Sequence, residues 1–298
     1  MIAVDWGTSS LRAFRLDPEG RVIDSCHSTK GVLAVDGDFE RILLQHIHGW
    51  NDGLIVMSGM IGSRQGWHEV PYVECPAGIE EIAAGMQRVE AHGLEGREIW
   101  IAPGLSIRRA NGLHDLMRGE ETQICGLLES LSPGIHLACL AGTHSKHVRV
   151  ENGRVTDFLT FMTGELFDVL CRHSILGKLM RPGPHHEVAF RRGVDLAARQ
   201  EDLLAHLFAV RTQGLVGEVN PAWLESYLSG ILIGHELNGI GDEVKQVRLV
   251  ASSALLLPYR SALRRRGFDP VVDPETCAAQ GLHALAATRG LHEPLLSS

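Results

Sequence analysis

Residues 1–16, MIAVDWGTSSLRAFRL, place a short polar segment between two apolar runs. The apolar run at 2–6 and the alternating run at 11–16 predict two β-strands joined by a tight turn. We call residues 5–10, DWGTSS, the first loop; it holds one carboxylate, one glycine and three hydroxyl groups. Turn residues at 17–21 and the run VIDSCHS then predict a third strand, so the chain opens with three strands.

The same order returns at residues 134–161, GIHLACLAGTHSKHVRVENGRVTDFLTF. Here the polar segment between the first two strands is AGTHSK, residues 141–146, which we call the second loop. Helical and strand-like segments follow each set of three strands, so the order β-β-β-α-β-α occurs twice. This repetition predicts a duplicated α/β fold.

We expect two lobes, 1–133 and 134–298, divided where SLSPG interrupts the pattern near residues 130–135. The N-terminal lobe carries the first loop, and the C-terminal lobe carries the second. Helices are predicted at 77–91 and 120–131 in the first lobe and at 253–266 and 275–288 in the second. For the closing helix, packing back on the first lobe is one option.

Composition excludes several classes of protein. The chain has 298 residues and a net charge of −8, with no long basic block, so nucleic-acid binding is not expected. No run of about 18 apolar residues occurs, and no basic and apolar leader precedes the first strand, so we expect a cytoplasmic protein without a membrane segment. Six widely spaced cysteines without a CxxC pair fit free thiols in a reducing compartment.

Each loop combines a glycine with hydroxyl side chains, which is typical of a turn whose backbone N–H groups bind an anion. Together the two loops predict that a polyphosphate is bound from both sides. The candidate phosphate-binding residues are Gly7, Thr8, Ser9, Gly142, Thr143, His144, Ser145 and Lys146. Either loop alone would fit an ordinary hairpin turn, and Lys146 would equally fit a solvated strand edge. The repetition favours the phosphate-binding interpretation.

Asp5 carries the same sign of charge as a phosphate and is not expected to bind one directly. We expect it to act as a Mg²⁺ ligand, through water, because Mg²⁺ keeps several of its waters. No GxxxxGK[ST] or GxGxxG motif occurs, which argues against a P-loop or a dinucleotide-binding fold. No HExxH set exists among the sixteen histidines, so no other metal is expected.

The segments DWGTSSLRAF and AGTHSKHVRV resemble the two phosphate loops of the actin, hexokinase and Hsp70-like ATPase superfamily. Longer segments resemble the 2-dehydro-3-deoxygalactonokinases. These segments are SGMIGSRQGWHEVPYVECPAG (58–78), PGLS (103–106), MRGEETQICGLL (117–128), FMTGELFDVLCRHSILG (161–177) and YLSGILIGHE (227–236). Together these segments span most of the chain.

This resemblance implies two ribonuclease-H-like lobes around a nucleotide cleft, with ATP and Mg²⁺ as cofactors. It implies transfer of a phosphoryl group to the 6-hydroxyl of 2-dehydro-3-deoxy-D-galactonate in galactonate catabolism. The alternatives are a kinase of a related sugar or sugar acid, or an exopolyphosphatase-like phosphohydrolase. A chaperone-like or actin-like ATPase is disfavoured because the two lobes use the whole chain. The partner is thus a small sugar acid, and a homodimer is one option.

A kinase of this type needs a group that takes the proton from the acceptor hydroxyl. Glu120 and Glu121 stand at the predicted start of a helix, where related sugar kinases have an acidic residue, usually Asp. Glu121 is preferred from its spacing to the following strand, and Glu120 remains the alternative. Acidic residues also favour helix starts for purely structural reasons.

The implied substrate is a carboxylate, which favours binding by an arginine. The first choice is Arg64, with Arg108, Arg109 and Arg118 as rivals. The candidate substrate-binding residues, all in the segment after a predicted strand, are Arg64, Gln65, Trp67 and Glu69. For adenosine, the superfamily has a glycine-rich turn between a strand and a helix. Ser252 and Ser253 stand at the matching position and are small enough to serve there.

Overall fold

A computed structural model describes residues 1–94, 96–109, 111–199, 201–241, 244 and 246–291. The chain forms two compact units. The first unit comprises Met1–Ile135, Arg149–Phe158 and Pro274–Ser298, and the second comprises His136–Val148 and Leu159–Asp273. The last predicted helix therefore belongs to the first unit, while residues 292–298 of the predicted C-terminal lobe lie outside the described part.

The regular elements alternate between strands and helices along the chain. In chain order they are β1 (Ile2–Trp6), β2 (Leu11–Leu16), β3 (Val22–Ser28), α1 (Phe39–His46), β4 (Leu54–Ser58), β5 (Val73–Glu74), α2 (Ile79–Gly85), β6 (Gln87–Val89), β7 (Glu98–Ile101), β8 (Leu105–Arg108), β9 (His114–Met117), α3 (Glu120–Leu127), β10 (Ile135–Ala141), β11 (Ser145–Glu151), β12 (Arg154–Phe161), α4 (Thr163–His173), α5 (Glu187–Ala197), α6 (Leu203–Leu215), α7 (Leu224–Leu237), β13 (Val247–Ala251), α8 (Ser253–Arg265), β14 (Val271–Asp273) and α9 (Cys277–Arg289).

The central sheet of the first unit has six strands in the order β3-β2-β1-β4-β7-β6. β1 pairs with β2 in antiparallel register and with β4 in parallel register. β4 and β1 are continuous apolar runs, as expected for strands covered on both faces. Their parallel pairing brings the ends of both strands, and the loops that follow them, to one edge of the sheet.

The second sheet repeats this arrangement with five strands in the order β12-β11-β10-β13-β14. β10 pairs in parallel with β13, as β1 does with β4. The first four strands of each repeat lie in the shared order third, second, first, fourth. A further parallel strand pairs with the fourth, β7 in the first sheet and β14 in the second, and β6 lies beyond β7 in the first sheet. The predicted α/β fold with a duplicated β-β-β-α-β-α order, forming two ribonuclease-H-like lobes, is confirmed. A separate three-stranded sheet, β5-β8-β9, also occurs.

Apolar side chains at alternate positions of the strands, on one face of each sheet, form a core cluster. In the first unit Trp6, Leu11 and Ile55 are fully buried in one cluster that also includes residues of α1. In the second unit Leu249 and Tyr259 are buried between the sheet and its helices. Burial of such side chains supplies most of the stabilisation of an α/β layer.

Two segments differ from the sequence-based expectation. The helix predicted over 77–91 ends at Gly85, because Met86 is extended and Gln87–Val89 pairs with β7 instead. Edge pairing with a neighbouring strand thus overrides the helical spacing of the apolar residues. The helix Glu187–Ala197 was not predicted, although its buried Ala189, Phe190, Gly193, Val194 and Ala197 have helical spacing.

Among the residues that the structure describes, no helix has both the length and the apolar character needed to cross a bilayer.

Candidate active site

The first loop is a tight turn, and the segment that follows β3 packs against it and forms hydrogen bonds with it. Gly7 donates its N–H to the carbonyl of Ser10, at 2.9 Å, and Val32 donates to the carbonyl of Gly7. Gly31 lies so close to the loop backbone that a side chain there would collide with Thr8. Thr8 and the following serine are exposed, so these two residues of the turn are accessible from solvent.

Asp5 lies at the end of β1, opposite Ser58 in the parallel register with β4. Its Oδ2 accepts a hydrogen bond from Nη2 of Arg12 at 2.6 Å. Its Oδ1 faces two glycines, since a Cβ on Gly59 would lie 3.4 Å from it and one on Gly119 would lie 3.9 Å away. The missing side chains leave one carboxylate oxygen approachable, which fits a water-mediated Mg²⁺ ligand.

Arg12 also pairs with Glu275, at 3.1 Å, just before α9. This arginine therefore bridges two carboxylates of the first unit. It holds Asp5 in place and compensates part of its charge, and sequence reasoning did not single it out. The signal was present, because Asp5 and Arg12 face each other across the β1–β2 pair.

The head of α3 lies at the same sheet edge as Asp5. A Cβ on Gly119 would be 3.3 Å from Cα of Gly59, and both glycines have positive φ angles of 111° and 90°. Such conformations favour glycine, and the lack of side chains permits this close backbone approach. Neither glycine was among the candidate residues, although both stand in the segments that carry the family resemblance.

Glu120 and Glu121 are neighbours in sequence but lie in different environments. Glu120 is partly exposed, and one of its carboxylate oxygens accepts the N–H of Arg118 at 3.1 Å. Glu121 is fully buried, and its Oε2 accepts the N–H of Gly119 at 2.6 Å. Its Oε1 is buried with no hydrogen-bond partner among the described residues. Both carboxylates thus cap the helix start, where acidic groups are favourable.

Burial, and secondarily the charge of Glu120, raises the pKa of Glu121 to about 8. The desolvated carboxyl group is more stable in its neutral form. At neutral pH Glu121 is therefore mostly protonated and is shielded from solvent. These properties make it poorly suited to accept a proton from a bound alcohol.

Arg64 and Gln65 lie at the tip of a compact loop that follows β4. The loop folds back on itself, with the N–H groups of Trp67 and Val70 donating to the carbonyls of Ile61 and Gly62, both at 2.9 Å. The side chain of Arg64 is 87% exposed, and its Nε donates to Glu69 at 3.0 Å. Trp67 packs against the core and anchors the loop.

Arg118, a weaker candidate from the sequence, is the more enclosed arginine. Its Nη2 donates to the carbonyl of Val70 at 2.7 Å, and its guanidinium lies 4.2 Å from the ring centroid of Tyr72. Its Nε and Nη1 are buried without a hydrogen-bond partner in the part of the chain that is described. Unpaired charged donors cost free energy, so Arg118 is a second candidate for contact with an anion.

The second loop lies at the end of β10, supported by the first turn of α4. Thr143 and His144 are exposed, whereas Ser145 and Lys146 are buried. Nε2 of His144 lies 2.5 Å from a carboxylate oxygen of Glu165, and Nζ of Lys146 donates to the carbonyl of His144 at 3.3 Å. Thr143 and His144 are therefore accessible from solvent, while Ser145 faces inward.

Ser252 and Ser253 form the turn between β13 and α8, as predicted. Ser252 is the N-cap, and its carbonyl accepts the N–H groups of Leu255 and Leu256. Because Ala141 pairs with Ala251, this turn and the second loop lie at the same edge of the second sheet. The structure thus brings Asp5, the first loop and the α3 head together in the first unit, and the second loop and the serine turn together in the second.

The raised pKa of Glu121 has a consequence for stability. The folded state keeps this proton up to a pH of about 8, whereas the ordinary pKa of a glutamate, as in the unfolded chain, is 4.5. Between these values the folded state binds more protons than the unfolded state, so stability decreases as the pH rises. We expect Glu121→Gln, which cannot ionise, to remove a few kcal/mol of this pH dependence between about pH 5 and about pH 8.

Urea unfolding at a series of pH values measures this effect. Glu120→Gln is the matched control, because it removes a carboxylate at the adjacent, partly exposed position. It should keep most of the wild-type slope, since burial is the main cause of the raised pKa, and lose only the part that the charge of Glu120 contributes. Equal slopes for wild type and Glu121→Gln would contradict the assignment.

Comparisons with known proteins agree over nearly the whole chain. A family model described as 2-keto-3-deoxy-galactonokinase matches residues 5–285. A protein of Rhizobium meliloti (strain 1021) named "Probable 2-dehydro-3-deoxygalactonokinase DgoK1" is 38% identical over 296 residues, covering 95% of this chain and 95% of the relative. The "2-dehydro-3-deoxygalactonokinase" of Escherichia coli (strain K12) is 33% identical over 292 residues, covering 96% of this chain and 97% of the relative.

A solved structure gives the same result. The crystal structure of a protein from Sinorhizobium meliloti, named a "putative 2-dehydro-3-deoxygalactonokinase protein", superposes with a TM-score of 0.85 at 36% identity. It covers 96% of this chain and 97% of the other. Family model, relatives and fold agree along almost the full length, and the chain belongs to the 2-keto-3-deoxy-galactonokinase family.

Proposed function

We propose that this protein transfers the γ-phosphoryl group of ATP to the 6-hydroxyl of 2-dehydro-3-deoxy-D-galactonate, a step in galactonate catabolism. The observation that carries the proposal is the family match over residues 5–285, together with two full-length relatives that bear this activity in their names. The arrangement at the two sheet edges supplies the groups that phosphoryl transfer requires.

Phosphoryl transfer depends mainly on positioning and on neutralising charge. Backbone N–H groups of the first loop, together with Thr8, and of the second loop, together with Thr143, would donate hydrogen bonds to phosphate oxygens. Asp5 would hold Mg²⁺ through water at its approachable Oδ1, with Oδ2 kept on Arg12. When bound, this ion would offset negative charge on the phosphates. The turn at Ser252 and Ser253 would face the adenosine.

Glu120 is the better base, in contrast to the preference for Glu121 from the sequence. A base must be ionised and must reach the hydroxyl proton. Glu120 is partly exposed at the head of α3, whereas Glu121 is buried and holds its own proton. As the hydroxyl oxygen bonds to the γ-phosphorus and the bond to ADP breaks, the hydroxyl proton would pass to Glu120.

The sugar-acid carboxylate would be bound by Arg64, at the tip of the loop after β4. Its guanidinium is exposed and can exchange the carboxylate of Glu69 for that of the substrate. Gln65 and Glu69 would then be available for substrate hydroxyls, with Trp67 as the wall of the pocket. Arg118 is the second candidate for this role, because two of its donors lack partners among the described residues.

A coupled ADP-release assay tests the reaction. We expect ADP release with 2-dehydro-3-deoxygalactonate and little without an acceptor, because the chemistry requires a positioned hydroxyl. The panel should include the gluconate-derived epimer and galactonate, which lacks the keto group. Mass spectrometry should find one added phosphoryl group in the acceptor. Equal ADP release with and without any acceptor would instead indicate the phosphohydrolase alternative.

Replacing the base gives the second prediction. Glu120→Gln should lower kcat by roughly 100-fold or more, because the amide cannot accept the hydroxyl proton. Glu121→Gln is the matched control and should keep kcat within a few-fold of wild type at neutral pH. Steady-state kinetics with saturating ATP measure both variants. A large loss of kcat only in Glu121→Gln would instead identify Glu121 as the base.

Removing the carboxylate contact gives the third prediction. Arg64→Ala should raise KM for the sugar acid by roughly 10-fold or more, the loss typical of a charged hydrogen bond, with little change in KM for ATP. The control is Arg41→Ala, which removes another exposed arginine paired with a carboxylate, that of Asp38. An unchanged KM for the acid would rule out Arg64 and favour Arg118.

A further inference from the structure

Behind the second loop lies a buried group of polar side chains, of which the site predictions used only Ser145. We call it the Glu236 network. Its members come from four elements of the second unit, and they are Ser145 on β11, His147 on β11, Thr163 on α4, Glu236 on α7 and Tyr259 on α8. The side chain of Glu236 is only 1% exposed, so its two oxygens must find their hydrogen bonds among these neighbours instead of in solvent.

Both carboxylate oxygens of Glu236 are engaged. Oε1 lies 2.9 Å from Nε2 of His147. Oε2 accepts the hydroxyl of Tyr259 at 2.7 Å and that of Thr163 at 2.5 Å. The oxygen of Tyr259 is in turn 2.7 Å from Oγ of Ser145, inside the second loop.

The direction of each hydrogen bond follows from the chemistry of the groups. A carboxylate only accepts, so Tyr259 must donate its single hydroxyl hydrogen to Glu236. The bond between Tyr259 and Ser145 therefore needs its hydrogen from Ser145. Ser145 has only one such hydrogen, and none remains for a phosphate oxygen.

Sγ of Cys139 also lies within 4.8 Å of ligand atoms of His147 and Glu236, a grouping that can hold a metal ion. Here, however, the ring nitrogen of His147 and both oxygens of Glu236 bond to protein groups. A metal held by His147 and Glu236 through these atoms would replace the hydrogen bond between Nε2 of His147 and Oε1 of Glu236. The arrangement is that of a hydrogen-bond network rather than of a ligand set.

Glu236 reaches the second loop by a further route through α4. Thr163, which donates to Glu236, is followed by Gly164, and a Cβ on Gly164 would lie 2.6 Å from the carbonyl oxygen of Gly142. The next residue, Glu165, donates its N–H to the carbonyl of Thr143 at 3.0 Å. Glu236 is thus connected to the second loop twice. One connection runs through Tyr259 to Ser145, and the other runs through Thr163 to the first turn of α4, which contacts Gly142 and Thr143.

We infer that Glu236, acting through Tyr259 and Thr163, is a positioning residue for the second loop, and that Ser145 holds the loop shape instead of binding phosphate. The phosphate donors of this loop are then its backbone N–H groups and Thr143. The inference rests on the proposed function to the extent that the second loop binds the nucleotide. It differs from the sequence-based interpretation of Ser145 as a phosphate ligand, which stays a prediction.

Tyr259→Phe tests the inference directly, because it deletes the one atom that connects Ser145 to Glu236 and keeps the ring. Calorimetric titration with ADP, without any sugar acid, should give a Kd about 5- to 30-fold weaker than that of wild type, as for a hydrogen bond to a charged network. KM for the sugar acid should stay within about 2-fold. Tyr227→Phe, at a buried tyrosine of α7 in the same unit, should leave the Kd for ADP unchanged.

A double-variant cycle separates positioning from direct phosphate contact. If Ser145 and Tyr259 act in one chain of hydrogen bonds, Ser145→Ala and the double variant should weaken ADP binding by about as much as Tyr259→Phe alone. Wild-type ADP affinity in Tyr259→Phe, or additive losses in the double variant, would overturn the inference. If Tyr259→Phe fails to fold, wild-type ADP affinity in Ser145→Ala overturns it equally.

Thermal unfolding of each variant shows whether stability alone changes, since a purely structural role would lower the melting temperature without altering Kd. Binding of ADP without turnover of any sugar acid would refute the proposed substrate and leave this inference standing. Absence of ADP binding in wild type would overturn the inference itself.

Discussion

The parallel pairing of β1 with β4 determines where the groups of the first unit meet. Asp5 stands opposite Ser58 in this register, so the first loop and Gly59 begin at the same edge of the sheet. The head of α3 reaches the same edge, next to Gly59. A shift of one residue would turn Asp5 to the other face of the sheet and separate it from these groups.

The same constraint acts in the second unit, where β10 pairs with β13. Ala141 stands opposite Ala251, so the second loop and the turn at Ser252 begin together. Because the carboxyl ends of parallel strands collect loops at one edge, ligand sites in such folds commonly lie there. Duplication of one strand order therefore duplicates the loop position as well, and this is why the two loops share their place in each repeat.

Close approach of backbones at these edges depends on residues without side chains. Gly59 and Gly119 adopt positive φ angles and leave room beside Asp5, and Gly164 lets α4 lie against the second loop. Polar side chains then stabilise the close backbone contacts that the glycines permit. In the first unit Arg12 binds Asp5. In the second unit Glu236 accepts hydrogen bonds from three side chains behind the second loop. Each loop thus combines exposed residues with a buried or half-buried polar side chain that holds its base.

The sequence by itself determined the α/β class, the internal duplication, the position of both loops and the family, because these depend on local apolar patterns and on motifs. The prediction of a helix over 77–91 was wrong at its end. The apolar residues keep helical spacing past Gly85, but Gln87–Val89 pairs with β7 as a strand. Only the tertiary structure decided the environments of neighbouring carboxylates. Glu121 is buried and retains its proton, whereas Glu120 is partly exposed.

Only the tertiary structure, too, decided that Oγ of Ser145 lies within hydrogen-bond distance of Tyr259, a residue 114 positions away in the chain. Burial and hydrogen-bond direction depend on which distant segments pack together, and no local pattern encodes that. The roles assigned to Arg64, to the serine turn and to the individual loop residues stay predictions. Residue type and spacing indicate which chemistry a segment can support, while packing decides which atoms are available to perform it.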